Sequence, residues 1–180
     1  MYNRASRKGT DSISTFPLFL KILALAAIIL LLILSFFKYQ FLYVSDMRSE
    51  DYLKAWRLED GDIFTVKYTH SVQLTPVWEV YEIRDGGIFL IETVFQSFGA
   101  GLPSTSPYDF EITDQGFRLY NIDMKITDLV YRVGAVRANH ILIIREKEYP
   151  FLDFAEPTEG IKFKTQKMSL MNYLAKEGFR

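Results

Sequence analysis

Residues 22–37 form an uncharged and almost wholly apolar run, Ile-Leu-Ala-Leu-Ala-Ala-Ile-Ile-Leu-Leu-Leu-Ile-Leu-Ser-Phe-Phe. A helix of this composition has no polar face with which to lie on the surface of a soluble domain. Extended back to Pro17, the run reaches about 20 residues, the length that crosses the hydrocarbon core of a bilayer. The extension includes Lys21, whose long side chain can place its charge at the interface. The sequence therefore predicts one transmembrane helix, over residues 21–38.

This helix has two possible fates, removal as a signal peptide or retention as an anchor. Cleavage requires small residues in an A-x-A-like pattern directly after the apolar run. Residues 35–39 instead read Ser-Phe-Phe-Lys-Tyr, which is bulky. The sequence favours an uncleaved anchor.

Basic residues mark the N-terminal side of the helix. Arg4, Arg7 and Lys8 precede it, and basic flanks stay in the cytoplasm. We therefore expect residues 1–20 to be a cytoplasmic tail, and the rest of a single-pass protein to lie outside the cell membrane. Of the 21 basic and 22 acidic residues, 16 and 21 follow residue 38, so the outer part carries a formal charge of about −5, as an exported soluble domain can.

Composition excludes several classes of function. The chain has no Cys, so disulfides and thiolate metal sites are excluded. A net charge of −1 supplies no basic field for phosphates, and nucleic acid is not expected as a partner. The 15 Phe and 11 Tyr favour strands over helices in the part that follows the anchor.

Short segments of alternating polarity follow the anchor and predict a mainly β fold. We expect an antiparallel β-sandwich or small barrel over residues 55–180, joined to the anchor by a juxtamembrane linker over residues 39–54. A short C-terminal helix is predicted over residues 169–177, with Ser169 as its N-cap. The predicted strands are 55–58, 63–70, 77–84, 88–95, 109–113, 117–122, 126–133, 140–145, 146–151 and 161–167.

Polar residues at strand positions make residues 68–103 the candidate site. If His70 pairs with Val77, Tyr68 lies opposite Glu79. If Asp85-Gly86 forms the next hairpin turn, Glu79 lies opposite Glu92, and all these side chains share one face. The hypothetical ligand-binding residues are Tyr68, His70, Ser71, Glu79, Tyr81, Glu92, Ser97, Gly99 and Gly101.

Several kinds of site fit this set. Two facing carboxylates are costly unless they share a proton, bind a cation or meet a base. The group could therefore bind a hard cation such as calcium, or zinc through His70. It could also hold the amine or hydroxyl of an organic ligand, or form a hydrogen-bond network that fixes the loop. Whether any metal binds stays open at this point.

The glycine loop and the serine carry weaker signals. Gly99 and Gly101 permit an anion-binding nest of backbone N–H groups, or simply a tight turn. Ser71 follows His70, and neighbours on a strand point to opposite faces, which disfavours a Ser-His-Asp hydrolase. The sequence contains no phosphate-binding motif. We therefore expect no catalytic residues, no cofactor and no enzyme activity.

The same stretch resembles a family of small bacterial proteins that is known only as a domain of unknown function, numbered eighteen-fifty. A weaker landmark is Asn139-His140. The residues that carry the resemblance are 64–72, 76–77, 79–81, 92–93, 95 and 97–103.

The resemblance implies an accessory role in transport. Members of the family are usually short, exported or membrane-anchored, and often encoded beside TRAP-type transporters of the TAXI subgroup. Those systems import organic acids with an extracytoplasmic binding protein and a membrane permease. The resemblance therefore implies a partner that is the permease or the substrate-binding protein, and it supplies no catalytic residues.

Overall fold

The computed structural model describes residues 17–96, 107–134 and 136–178. Within them the chain forms one long helix, eleven strands, a 3₁₀ turn and a short helix. In order these are α1 (Leu18–Phe36), β1 (Lys38–Asp46), β2 (Tyr52–Arg57), β3 (Ile63–Thr69), β4 (Pro76–Arg84), β5 (Gly87–Phe95), β6 (Asp109–Thr113), β7 (Gly116–Ile126), β8 (Leu129–Arg132), β9 (Ile141–Ile144), β10 (Lys147–Pro150), the 3₁₀ turn (Phe151–Asp153), β11 (Gly160–Ser169) and α2 (Leu170–Gly178).

Apart from Lys21 in its first turn, helix α1 is apolar on every side, and none of its residues is buried. Pro17 precedes it, where the missing N–H costs nothing at a helix start. In the described part of the chain, α1 is the one helix long and apolar enough to cross a membrane, a test that a signal sequence near an N-terminus also passes.

The strands form two antiparallel sheets, which confirms the predicted mainly β fold. The smaller sheet has the order β2-β1-β11-β8, and the larger has the order β10-β9-β3-β4-β5-β7-β6. The main core lies between them. Leu42 and Ile161 of the small sheet and Phe64, Ile83 and Leu142 of the large sheet belong to this one buried cluster. The arrangement is a sandwich, with alternate residues of each strand directed inward.

Strand β1 corrects the predicted linker over residues 39–54. It pairs along its whole length with β11, from Lys38 opposite Ser169 to Asp46 opposite Ile161. It also pairs with β2 on its other side, so it is an interior strand of the small sheet. Both of its faces are covered, because Leu42 and Val44 face the main core while Phe41 and Tyr43 belong to a second cluster under α2. A strand buried on both faces is a continuous apolar run, and the alternation that marks other strands is missing.

The hairpin between β4 and β5 follows its prediction at the turn. Asp85 and Gly86 occupy the two central positions with φ of 51° and 66°, as a two-residue type I′ turn requires. Arg84 pairs with Gly87, as expected. The turn lies beside the middle of β1, because the Thr165 hydroxyl donates to the Gly86 carbonyl from β11, and Thr165 pairs with Leu42.

The opposite end of the sandwich, called the far end below, holds the loop between β3 and β4. There Thr69 pairs with Pro76, and Tyr131 of β8 pairs with Ile161, the residue opposite Asp46 at the end of β1. A rise of about 3.3 Å per residue along β1 places the far end about 26 Å from Lys38, where α1 joins the sheet.

Candidate functional site

Glu79 is the centre of a half-buried polar group at the far end. Its Oε2 lies within hydrogen-bond distance of the hydroxyls of Tyr131, at 2.5 Å, and Tyr81, at 3.2 Å. Its Oε1 accepts from the Tyr68 hydroxyl at 3.3 Å. The hydroxyls of Tyr81 and Tyr131 also lie 2.7 Å apart. Together with His140, these residues are called the Glu79 cluster.

The elements of both sheets build this cluster. Tyr68 is near the end of β3, and Glu79 and Tyr81 are two residues apart on β4, so their side chains share its inner face. Tyr131 comes from β8 of the small sheet. The hydrogen bonds to Glu79 therefore tie the two sheets together where the sandwich ends.

The shortest contacts arrange the phenol protons as a chain. With Glu79 ionised, Tyr81 and Tyr131 have two protons for three oxygen–oxygen contacts. The distances favour donation from Tyr131 to Glu79 and from Tyr81 to Tyr131, which leaves the 3.2 Å contact between Tyr81 and Glu79 as the weakest. Charge-assisted bonds of this kind are the stronger ones in proteins.

The phenols of the cluster stay protonated. Burial, reinforced by the charge of Glu79, raises the pKa of Tyr68, Tyr81 and Tyr131 above that of a free phenol. Each hydroxyl is therefore a permanent donor at any physiological pH. This makes the cluster a fixed set of donors around one carboxylate rather than a group that exchanges protons.

His140 closes the cluster from the chain segment before β9. Its ring stacks on Phe151 with centroids 5.2 Å apart and lies 5.3 Å from the ring of Tyr68 and 5.6 Å from that of Tyr131. Burial lowers its pKa from 6.5 to about 4, so the imidazole is neutral at pH 7. Its Nδ1 accepts the backbone N–H of Gly134 at 3.4 Å, which leaves the proton on Nε2.

The cluster lies within a stretch of the chain that matches the model of a sequence family. Residues 64–151 match its family model. That model is described as Domain of unknown function (DUF1850), and the chain is similar to it over this stretch, just under half of its length. All five residues of the cluster lie inside this match, whereas α1, β1, β2, β11 and α2 lie outside it. No curated protein and no solved structure gives a significant match to the chain.

Within residues 64–151 the structure brings together three of the predicted site residues, Tyr68, Glu79 and Tyr81. The register between β3 and β4 differs from the prediction by two residues, because Tyr68 rather than His70 pairs with Val77. A shift of two residues keeps every side chain on its predicted face. Tyr68 therefore still reaches Glu79, now as a diagonal neighbour.

The same shift moves His70 out of the sheet and into the loop. Its Nδ1 accepts the backbone N–H groups of Val72 and Gln73, each at 3.3 Å, and its own N–H donates to the carbonyl of Thr75 at 2.9 Å. No described bond joins it to Glu79. His70 thus holds the loop by hydrogen bonds, one of the roles considered for it, and Ser71 beside it is exposed.

The predicted pairing of Glu79 with Glu92 is wrong. Tyr81 pairs with Leu90 as expected, but the register then shifts so that Val80 pairs with Glu92 and Glu79 pairs with Thr93. One extra residue in β5 forms a β-bulge, and a single insertion sends the following side chains to the other face. The facing carboxylates that suggested a cation do not exist.

Glu92 instead lies on the outer face of the large sheet. Arg118 bridges it to Glu111, with nitrogen–oxygen distances of 2.5 Å and 2.7 Å. Glu92 and Arg118 line an open groove of about 510 Å³ on this face. Among the described residues there is no group of three His, Cys, Asp or Glu side chains that could hold a metal ion.

Two residues of the cluster, Tyr131 and His140, are missing from the predicted site. Sequence pattern placed Tyr131 correctly on a strand, but its contact with Glu79 depends on how the two sheets stack. His140 enters the sequence analysis only as part of the weaker landmark Asn139-His140. Their separations from Glu79, 52 and 61 residues along the chain, leave no local signal. The predicted Ser97, Gly99 and Gly101 lie outside the described residues.

Proposed function

We propose that this chain is a single-pass, membrane-anchored β-domain on the outer side of the membrane, and that it assists a TRAP-type transporter of the TAXI subgroup. It would dock on the permease or on the substrate-binding protein. The family match and the apolar helix α1 support this proposal. The transporter itself comes from the resemblance described above, and the basic N-terminal flank supports the orientation.

The junction between α1 and the sandwich is the observation that carries the proposal. Helix α1 ends at Phe36, and β1 begins at Lys38. One residue therefore separates the apolar helix from an interior strand of the small sheet. A domain held so closely cannot extend towards a distant partner as a domain on a flexible linker can. Its partners must come to the membrane surface, as a permease and the binding protein docked on it do.

A non-catalytic role is part of the same proposal. The three phenols of the Glu79 cluster remain protonated, and their hydroxyls all lie within hydrogen-bond distance of its one carboxylate. Such a group lacks the free base and the nucleophile that acid–base or covalent catalysis requires. Its geometry instead suits a rigid end of the sandwich that presents a fixed surface.

Site-specific cross-linking tests the proposed docking. The chain has no Cys, so each introduced cysteine is unique. Suitable positions are Val72, Ile112 and Leu152, whose exposed fractions are 81%, 75% and 45%. In native membranes we expect a photoactivatable maleimide on at least one of them to capture the permease or the binding protein. The matched control is residues 1–37 fused to an unrelated exported domain.

The proposal fails if no position captures a transporter component above that control. Capture with the fused control as well would mean that α1 alone makes the contact. Each variant is first checked for an unchanged unfolding transition, so that loss of the fold is not mistaken for loss of docking.

A second candidate function is binding of an organic ligand at the Glu79 cluster. One specific observation favours it: a half-buried carboxylate lies beside the rings of Tyr68, Tyr131 and His140, a combination that suits an amine. Titration calorimetry of the full chain in detergent, with simple alkylamines, organic acids, Ca²⁺ and Zn²⁺, tests this function. A heat of binding that Glu79→Gln abolishes would support it, and no heat with any of these probes would exclude it for them.

A further inference from the structure

The C-terminal helix α2 has two different sides. On the side facing the small sheet, the Tyr173 ring stacks on Phe41 with centroids 4.8 Å apart. One turn later, Glu177 accepts hydrogen bonds from Tyr52 and Lys54 of β2. The helix begins at a capped end, because the Ser169 hydroxyl accepts the N–H of Asn172 at 3.2 Å. This side fixes α2 firmly on the outer face of the sheet.

A different side of α2 carries apolar residues that the sheet does not cover completely. Leu174 is 52% exposed. Leu170 and Met171, about 40° and 60° from it around the helix, are partly exposed. At 100° per residue, Asn172 lies about 160° around the helix from Leu174. Lys176 lies on that same polar side, and both Asn172 and Lys176 are exposed. Helix α2 is therefore amphipathic, and its apolar side is not the side that packs on the sheet.

The position of α2 along the sandwich indicates what its apolar side contacts. Ser169, the residue before α2, pairs with Lys38, the second residue after α1. Helix α2 therefore starts at the level where α1 ends. The two helices contact each other, and Leu34 is the one residue of α1 that is partly covered.

The length of α1 fixes this level relative to a bilayer. Its 19 residues span about 28 Å, close to the thickness of a hydrocarbon core of about 30 Å. When α1 crosses a membrane, Phe36 lies near one boundary of the core. Leu170 and Leu174 are then at the height of the lipid headgroups and the upper acyl chains, where amphipathic helices lie.

We infer that α2 is a second membrane contact, lying in the interface with Leu170, Met171 and Leu174 in the lipid. The inference rests on the proposed role of α1 as a membrane span. Three apolar side chains bind a bilayer weakly when they are free in solution. Here α1 holds them at the surface, so insertion is an intramolecular step with a high effective concentration. A span and an interfacial helix together fix the tilt of the sandwich, which a single span leaves free to rotate.

Spin labels measure this contact directly. The full chain carries a single label at Leu174→Cys or, as the matched control on the same helix, at Asn172→Cys. Each protein is reconstituted into phosphatidylcholine vesicles at a high lipid-to-protein ratio, so that second copies do not cover α2. Accessibility to oxygen, which concentrates in lipid, is compared with accessibility to a water-soluble nickel chelate.

The inference predicts a reversal between the two positions. The label at residue 174 should be reached by oxygen and shielded from nickel, and the label at residue 172 should show the opposite order. Equal exposure of both labels to nickel would overturn it. So would a label at residue 174 that neither reagent reaches, since that is a contact with protein. Extraction of the labelled chain by alkaline carbonate would show that α1 does not span, and the inference would fail with it.

Discussion

The hydroxyl of Tyr131 is the group on which the Glu79 cluster depends most. Tyr131→Phe removes one oxygen and leaves the ring contacts with Phe151 and Phe163 in place. The lost bond to Glu79 is charge-assisted, and such bonds contribute about 1.5–3 kcal/mol. The bond shared with Tyr81 is neutral and contributes about 0.5–1.5 kcal/mol.

Part of this loss is recovered. Once Tyr131 lacks its hydroxyl, Tyr81 can turn its proton to Glu79 across the existing 3.2 Å contact. Tyr68 still donates from the other side at 3.3 Å. We therefore expect Tyr131→Phe to lower the free energy of unfolding by about 2–3 kcal/mol rather than by the full sum.

Urea unfolding of the full chain in a mild detergent measures this change. Fluorescence of Trp56, which is buried in the main core, reports the transition. At a slope of about 1–3 kcal/mol per molar urea, the midpoint should fall by about 1 M or more. The matched control is Tyr120→Phe on the outer face, whose hydroxyl has no hydrogen-bond partner among the described residues and which should stay within about 0.5 kcal/mol.

A double-mutant cycle separates the contact with Glu79 from other effects. Glu79→Gln and Tyr131→Phe should destabilise together by less than the sum of their separate effects, with a coupling of about 1 kcal/mol or more. If Tyr131→Phe changes stability no more than Tyr120→Phe, the cluster does not hold the two sheets together and the reasoning is refuted.

Three further predictions concern other features of the fold. Burial lowers the pKa of His140 from 6.5 to about 4, so between these pH values the unfolded chain binds a proton that the folded chain does not. The free energy of unfolding should therefore be highest above pH 6.5 and fall towards pH 4, by about 1–2 kcal/mol after allowing for solvent screening. His140→Phe should reduce the difference in the free energy of unfolding between pH 7.5 and pH 5. A chain that starts at Lys38 should unfold cooperatively in circular dichroism, whereas one that starts at Met47 should not fold; a cooperative transition in the shorter chain would show that β1 is dispensable. Because Glu92 faces away from the cluster, the effects of Glu92→Gln and Tyr131→Phe on urea unfolding should add within about 0.5 kcal/mol, and a larger coupling would contradict the bulge.

The β3-β4-β5 meander could be predicted because its signals are local. Alternation over residues 63–69 marks a strand with one face towards the core, and Asp85-Gly86 specifies the turn. The predicted pairing of β3 with β4 was wrong by two residues, which left every side chain on its predicted face of the sheet. Tyr68, Glu79 and Tyr81 were therefore placed together correctly even though the pairs were not.

Strand β1 could not be separated from the apolar run that precedes it. Residues 41–44, Phe-Leu-Tyr-Val, continue that run in composition, and burial of both faces removes any alternation. The main core covers one face of β1, and α2 covers the other. Helix α2 begins 126 residues after Val44 in the sequence. The residues around β1 therefore give no signal that α2 buries this face.

The position of Glu92 depends on a bulge that the pattern of β5 conceals. Residues 88–91 read Ile-Phe-Leu-Ile, so an inserted residue there does not interrupt any alternation. The partner strand β7 contributes to the irregularity, because Asn121 and Asp123 both have positive φ, at 55° and 49°. Sheet pairing, rather than sequence, decides which way Glu92 points.

Labelling of residue 72 in cells shows whether the sandwich lies outside the membrane that α1 is proposed to cross. Val72, at the far end, is 81% exposed, and Val72→Cys supplies the sole thiol in the chain. The partner variant is Ser6→Cys, on the other side of α1. With spheroplasts and a membrane-impermeant maleimide, we expect labelling of residue 72 before lysis and of residue 6 only after lysis. Labelling of residue 72 only after lysis would place the sandwich inside the cell and contradict the proposed function.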